Sequence, residues 1–371
     1  TGTVLSPAST LCKILWIKEN EPELYEKTAR FLQSKDYLVY RLCGKMNTTD
    51  LSDASHGGLL NLQTRQYDSE MLTNTGVDMT KLPQLHTSCE IAGYLTEEAA
   101  CHLGLRAGIP VSVGGGDGAC ANIGAGAAAP GNFYLSLGTT AWIAGPMHKP
   151  FIDPKRRVFH MYTLDGNGCN VFGTVQCAGR SISWAMDLFD INNARAFDSA
   201  AAQVAPGAGG LIYLPYLEGE RSPVFDALAQ GVYFGINTTH KHEHFVRAVL
   251  EGVAMGLSQV LDTFREREDI QSLRIIGGGA KSKLWKQIIS DVCKVELLDV
   301  STFSDSATSL GAAAAAGVGM GLYQNLAEAA AHIAVSGSVQ PRQETQEAYA
   351  LNKKRYAMLY PALKDAFHTR S

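Results

Sequence analysis

The chain has 371 residues, 46% of them hydrophobic, and a formal net charge of −4 with both signs spread along its length. That is room for two domains with buried cores and rules out a disordered chain, while the lack of a basic stripe argues against nucleic-acid and membrane partners. No apolar run approaches the roughly 20 residues a membrane span needs, and the opening residues do not read as a signal peptide. The eight cysteines (Cys12, Cys43, Cys89, Cys101, Cys120, Cys169, Cys177, Cys293) form no Cys-x-x-Cys pair, so a cytoplasmic, reducing location is expected.

In chain order, residues 11–18, 22–31 and 35–42 predict helices, followed by a polar turn and a helix over 96–103. Residues 8–110 are therefore expected to form a helical layer with little strand of its own. From residue 109 the pattern changes to strands alternating with helices, with strands expected over 109–113, 133–144 and 210–214 and a hairpin over 158–175. The longest expected helix, 244–266, carries Phe245, Val249, Leu250, Val253, Leu257, Val260, Leu261 and Phe264 at steps of three and four, which predicts one core-facing stripe. A strand over 273–276, a helix over 282–293, a strand over 295–300 and a helix over 307–317 predict a parallel βαβα unit. The Ala-rich run from Ala312 to Ala316 predicts close helix packing, and a helix over 343–363 closes the chain.

The segment richest in chemistry is Gly114-Gly115-Gly116-Asp117, where a strand empties into a glycine turn that delivers a carboxylate to a helix start. Glycines permit positive φ and close approach of a ligand, and free N–H groups at a helix start favour negative charge. Taken alone, the segment is read equally well as Asp117 capping a helix over 118–126 or as Asp117 doing catalysis. Two more glycine turns, at residues 136–140 and 277–280, also follow or interrupt strands, and turns of this kind can wrap phosphate oxygens. None fits Gly-x-x-x-x-Gly-Lys-Ser/Thr, and neither 114–119 nor 277–282 completes a dinucleotide fingerprint. His240, His242 and His244 alternate at a helix start without ligands of metal spacing nearby, so a solvated lead-in is expected and no metal site. The charged loop from Glu218 to Pro223 predicts an internal ion pair. No Gly-x-Ser-x-Gly elbow or thiol with a local base supports covalent catalysis.

Together these motifs resemble the FGGY family of carbohydrate kinases over essentially the whole chain. The run from Lys13 to Asn20 is similar to the family's first signature, with Ala8 departing from its opening residue. The second is complete, from Gly231-Val232-Tyr233-Phe234-Gly235-Ile236 through His244-Phe245 to Ala248-Val249-Leu250-Glu251. The segments Lys35 to Leu38 and Thr49-Asp50 to Ala54-Ser55 also resemble family segments, here read as helix and turn packing. The resemblance implies an α/β, ribonuclease H-like fold of the actin/Hsp70 ATPase type, with two lobes. Residues 1–128 would be the remainder of the N-terminal, sugar-binding lobe and 129–371 the C-terminal, nucleotide-binding lobe. It also implies ATP and Mg²⁺ as cofactors and a small sugar or polyol as substrate. Asp117 would be the general base, Gly138 and Thr139 would hold ATP phosphates, and Gly278, Gly279, Ala280 and Lys283 would lie against adenosine. Gly179 and Ser183 fall where the family lines the nucleotide pocket, Ser183 replacing a longer amide found in some members.

The family's opening strand and Asp-x-Gly-Thr loop have no counterpart here, so the first lobe is expected to be incomplete and the chain truncated. Its helices would then expose apolar faces, which makes a homodimer a candidate assembly. Pro215-Tyr216-Leu217, Gly219 to Pro223 and the Gly-Gly-Gly-Asp turn resemble xylulose kinases, whereas Gly118 and Ala121 to Gly124 resemble gluconate kinases. Two further readings stay open: an inactive nucleotide- or sugar-binding remnant, and an Hsp70- or actin-like ATPase, against which the complete second signature argues.

Overall fold

The computed structural model describes residues 5, 7, 9–149, 152–300 and 306–369; Ala8, the position that departs from the first signature, lies outside them. The chain forms two compact units that interleave in sequence. The first comprises Thr1–Pro130, Gly145–Val171 and Ser306–Ile333, and the second Gly131–Ala144, Phe172–Asp305 and Ala334–Ser371.

In the first unit the expected helices form as Thr10–Asn20, Ser34–Cys43 and Glu97–Leu103. The helix expected over 22–31 ends early, as Pro22–Lys27, because tertiary contacts take over the backbone that follows. The Phe31 N–H bonds the Lys81 carbonyl, and Lys81 Nζ reaches back to the Thr28 carbonyl at 2.8 Å. Leu11, Ile14 and Tyr25 pack with Leu59, Leu72, Val77 and Leu82 into one core cluster. The layer is less purely helical than expected. Thr48–Asp50 pairs in parallel with Gln84–His86, and Ile91–Tyr94 pairs antiparallel with Pro110–Ser112. Two short helices also lie between these pieces, Leu51–His56 and Ser69–Thr75, capped by the carboxylates of Asp50 and Asp68.

The Asp117–Gly124 helix crosses the Ala307–Gly319 helix at a contact made by glycine. A Cβ on Gly124 would collide with the Ala307 carbonyl, and one on Gly311 with the Cys120 carbonyl. The close packing expected of the Ala-rich run is met only in part: Gly311 and Ala315 are buried, whereas Ala312 and Ala313 are exposed.

The second unit is built on a mixed sheet. Phe133–Leu137 turns at Gly138 into Ala141–Pro146 as an antiparallel hairpin, and its other edge pairs in parallel with Ser272–Ile276. Ser272–Ile276 pairs in parallel with Glu296–Val300, which pairs antiparallel with Val335–Val339. The Lys283–Cys293 helix links the two parallel strands, giving the expected βαβ crossover. The helix after it, Ala307–Gly319, belongs to the first unit.

The long His242–Arg265 helix is buried on more than one stripe: from Val246 to Ser258 every residue is buried. The periodic apolar residues are only part of its interior surface, because Arg247 and Glu251 are also enclosed. Arg247 Nε donates to Glu251 Oε1 at 2.6 Å, and the same oxygen accepts from the Gly207 N–H at 3.0 Å and the Tyr349 hydroxyl at 3.2 Å. The other guanidinium nitrogens donate to the Ala201 carbonyl and the Tyr349 hydroxyl. Burying a charge is tolerable only with this degree of pairing.

Candidate active site

Asp117 occupies the first helical position of Asp117–Gly124, and the N-cap is Gly116, which offers no side chain. The expectation that Asp117 itself caps a helix starting at residue 118 is thereby corrected. Its carboxylate is exposed, and Oδ1 accepts from the next N–H, that of Gly118, at 2.7 Å. An exposed carboxylate in the first turn is favoured by the helix dipole and stays available to a ligand.

The glycines before it are required by what they touch. Gly114 has φ of 72°, and a Cβ on Gly115 would collide with the Leu164 side chain. A Cβ on Gly116 would lie 2.7 Å from Asp53 Oδ1. Beneath the turn lies a charge cluster, in segments for which the sequence predicts only helix and turn packing. Lys35 Nζ lies 2.5 Å from Asp36, 3.2 Å from Asp50 and 3.7 Å from Asp53. Burial pulls the Lys35 ammonium down, but the three carboxylates together override it and hold the group above its ordinary value.

In the second unit a cavity of about 1030 Å³ is bounded by Gly138 and Thr139, by Gly179, Ile182, Ser183 and Met186, and by Gly278, Gly279 and Lys283. Of the eight residues expected to hold nucleotide, seven line this one cavity; the exception is Ala280, whose N–H closes the turn onto the Gly277 carbonyl at 3.1 Å. The Gly179 N–H donates to the Gly138 carbonyl at 2.9 Å, and the N–H groups of Ala178 and Arg180 both donate to the Thr139 carbonyl. A Cβ on Gly179 would sit 2.6 Å from the Gly138 oxygen, so only glycine allows the two backbones to meet. At Gly278 a Cβ would meet nothing within 4 Å, which leaves that wall open. Sequence reasoning missed Arg195, Asp198 and Ser282 in the lining. Ser282 caps the Lys283–Cys293 helix by accepting from the Trp285 N–H and donates to Asp198 at 2.7 Å. The signal was a serine directly before an amphipathic helix.

The loop over 218–223 is held differently from the expected internal ion pair. Glu218 pairs outward with Arg180 at 2.9 Å. Glu220 is buried and accepts from the N–H groups of Gln176 and Arg221, both at 2.7 Å, while its Oε2 has no hydrogen-bond partner among the described residues. Burial pushes its carboxyl from 4.5 up to about 8, against the pull of those N–H groups and of Arg221. The folded state therefore holds this proton more tightly than the unfolded chain does. The resulting stability is complete below pH 4.5 and is lost as pH rises through about 8. Thermal melts are expected to show Tm falling between about pH 5 and 8, with Glu220→Gln flattening that fall.

The histidines serve the start of the long helix. His240 Nδ1 accepts from the Asn237 N–H, His244 Nδ1 accepts from the Lys241 N–H, and His242 stands edge-on to Phe189. Among the described residues no group of three or more His, Cys, Asp or Glu side chains is placed to hold a metal ion. Among the same residues no helix is long and apolar enough to cross a membrane.

Residues 1–124 match the N-terminal domain of the FGGY family of carbohydrate kinases and residues 133–320 its C-terminal domain. A xylulose kinase from Bacillus subtilis (strain 168) is 32% identical over 359 residues, covering 96% of this chain and 71% of that protein. Two solved structures from Lactobacillus acidophilus, a ligand-bound xylulose kinase and a gluconate kinase, both superpose with a TM-score of 0.94. They are 26% and 25% identical, with 99% of this chain and 75% and 74% of theirs covered. The chain belongs to the FGGY family of carbohydrate kinases. It is an enzyme of the sugar-kinase class with the ribonuclease H-like fold that the motifs implied.

Proposed function

We propose that the protein transfers the γ-phosphoryl group of ATP to a hydroxyl of a ketopentose such as xylulose, with Asp117 as general base. The observation that carries the nucleotide half is the convergence of three glycine-bearing segments, distant in sequence, on one cavity. Gly138 and Thr139 are assigned to the phosphates. Gly179 and Ser183 line the pocket, and Gly278, Gly279 and Lys283 are assigned to adenosine, with Ala280 closing the turn that carries them. The residues present fit a nucleotide: glycine backbone leaves room for phosphate oxygens, and Lys283, at the first position of its helix, adds a cation beside free N–H groups. Mg²⁺, where bound with the nucleotide, would neutralise phosphate charge. No side-chain cage for it is found among the described residues, and no step is routed through it.

Asp117 is assigned to the acceptor hydroxyl, whose proton it takes as the oxygen attacks phosphorus. Phosphoryl transfer proceeds through a loose transition state, so a modest, well-placed base suffices. Xylulose is preferred over gluconate because the Bacillus subtilis relative is a xylulose kinase, and because Asp36, Asp50 and Asp53 outnumber the single ammonium of Lys35 beside the turn, which disfavours a carboxylate-bearing sugar. The test is a coupled ADP-release assay across ketopentoses, glycerol and gluconate. Turnover with xylulose at least about tenfold above gluconate in kcat/KM is expected. The reverse order would replace the ketopentose with gluconate, and ATP hydrolysis unaffected by any polyol would remove the sugar-kinase assignment of Asp117.

A further inference from the structure

The turn that carries Asp117 rests on a line of contacts that begins at a single cation. Asp50 is fully buried and accepts from the hydroxyls of Ser52 and Ser88. Ser52 Oγ accepts in turn from the Gly116 N–H at 2.9 Å, and Lys35 Nζ lies 3.5 Å from the Val113 carbonyl. Asp53 stands apart from this line. It makes the longest of the three contacts to Lys35. Its carboxylate accepts no hydrogen bond among the described residues, and its side chain keeps 21% of its surface open. Its Oδ1 occupies the space beside Gly116 that any larger residue there would need.

We propose that Asp53 is a positioning residue for Asp117, wedged against Gly116 so that its carboxylate fixes the turn and supplies a second negative charge at the catalytic corner. The inference rests on the reading of Asp117 as the base. The groups that face Asp53 are Lys35 and Asp36 on one helix, Asp50 at the start of its own, and Asp117 and Cys120 on the helix after the turn. One cation cannot satisfy three carboxylates, and Asp36 and Asp50 hold its nearer contacts. Burial first, and then repulsion from Asp50, with Asp36 and Asp117 adding to it and Lys35 opposing, push the Asp53 carboxyl up to about 7. Its charge is therefore present above neutrality and lost below it, and with it part of the field that draws a proton from a hydroxyl.

The experiment pairs a titration with kinetics. In protein labelled with ¹³C at the aspartate carboxyls, one resonance is expected to titrate near pH 7 and to vanish in Asp53→Asn. In the coupled assay, wild-type kcat should rise through the same pH. Asp53→Asn should lose that limb, with kcat about tenfold lower at pH 8 and KM for the sugar changed by less than about twofold. Should Asp53→Asn fail to fold, Asp53→Glu keeps the charge, and its limb should move by about half a unit or more. A limb that survives unchanged in Asp53→Asn, or stays fixed in Asp53→Glu, overturns the proposal. Asp117→Asn is the control that separates the two readings. Retained turnover there removes Asp117 as base whatever Asp53 does, whereas a dead Asp117→Asn beside an unaltered Asp53→Asn profile removes Asp53 alone.

Discussion

Asp117→Asn is expected to lower kcat by about 10² to 10⁴, equivalent to roughly 3 to 5 kcal/mol of barrier, while leaving ATP binding intact. The substitution keeps the shape of the side chain and can keep the contact with the Gly118 N–H, so the start of its helix should survive. What it removes is the proton acceptor that the general-base reading requires. Because Asp117 is exposed, the substitution should not unfold the protein, and an unchanged Tm would show that. ATP affinity measured by calorimetry separates the two assignments, since the cavity residues belong to the other unit. A kcat within about twofold of wild type would end the general-base reading.

Glu251→Ala is expected to destabilise the protein by about 3 to 5 kcal/mol. The reason is asymmetric. The carboxylate receives the Arg247 guanidinium, the Gly207 N–H and the Tyr349 hydroxyl at one oxygen, and all of these partners are enclosed. Removing it leaves a guanidinium in the interior with only neutral acceptors. The double variant Arg247→Met/Glu251→Leu should recover much of the loss, because an apolar pair of similar volume needs no compensating charge. Denaturant unfolding of the single and double variants gives the comparison directly. If the single and double variants prove equally unstable, the cost lies in packing and not in the orphaned charge.

The long helix was legible because its apolar residues recur at the helical period, yet the sequence could not show that the remaining faces are buried too. Arg247 and Glu251 look like solvent-facing residues until their partners, more than 40 positions away, are known. Short strands such as Leu60–Asn61 and Gln66–Tyr67 are too brief to carry a period of two. The helix Gly179–Leu188 is hard to read because Gly179, Ser181 and Ser183 are weak helix formers, and Ala194–Ala201 because it is only eight residues long. The glycine turns were legible for a local reason, since positive φ and close backbone approach restrict the residue itself. The Lys35–Asp50–Asp53 cluster was not. Its members lie on two helices and a strand end, and nothing within either segment reveals that one ammonium will serve three carboxylates.

The backbone contact between Gly138 and Gly179 has a consequence for redesign. Two walls of the cavity are joined through backbone, and Gly179 cannot be enlarged without breaking the join. Ile182 and Met186, one helical turn apart on the same face, are the adjustable part of the lining. On the proposed nucleotide reading of this cavity, trimming Met186 to alanine should widen the pocket for a bulkier ATP analogue while the backbone join at Gly179 stays intact, which affinities of wild type and variant for such an analogue would check.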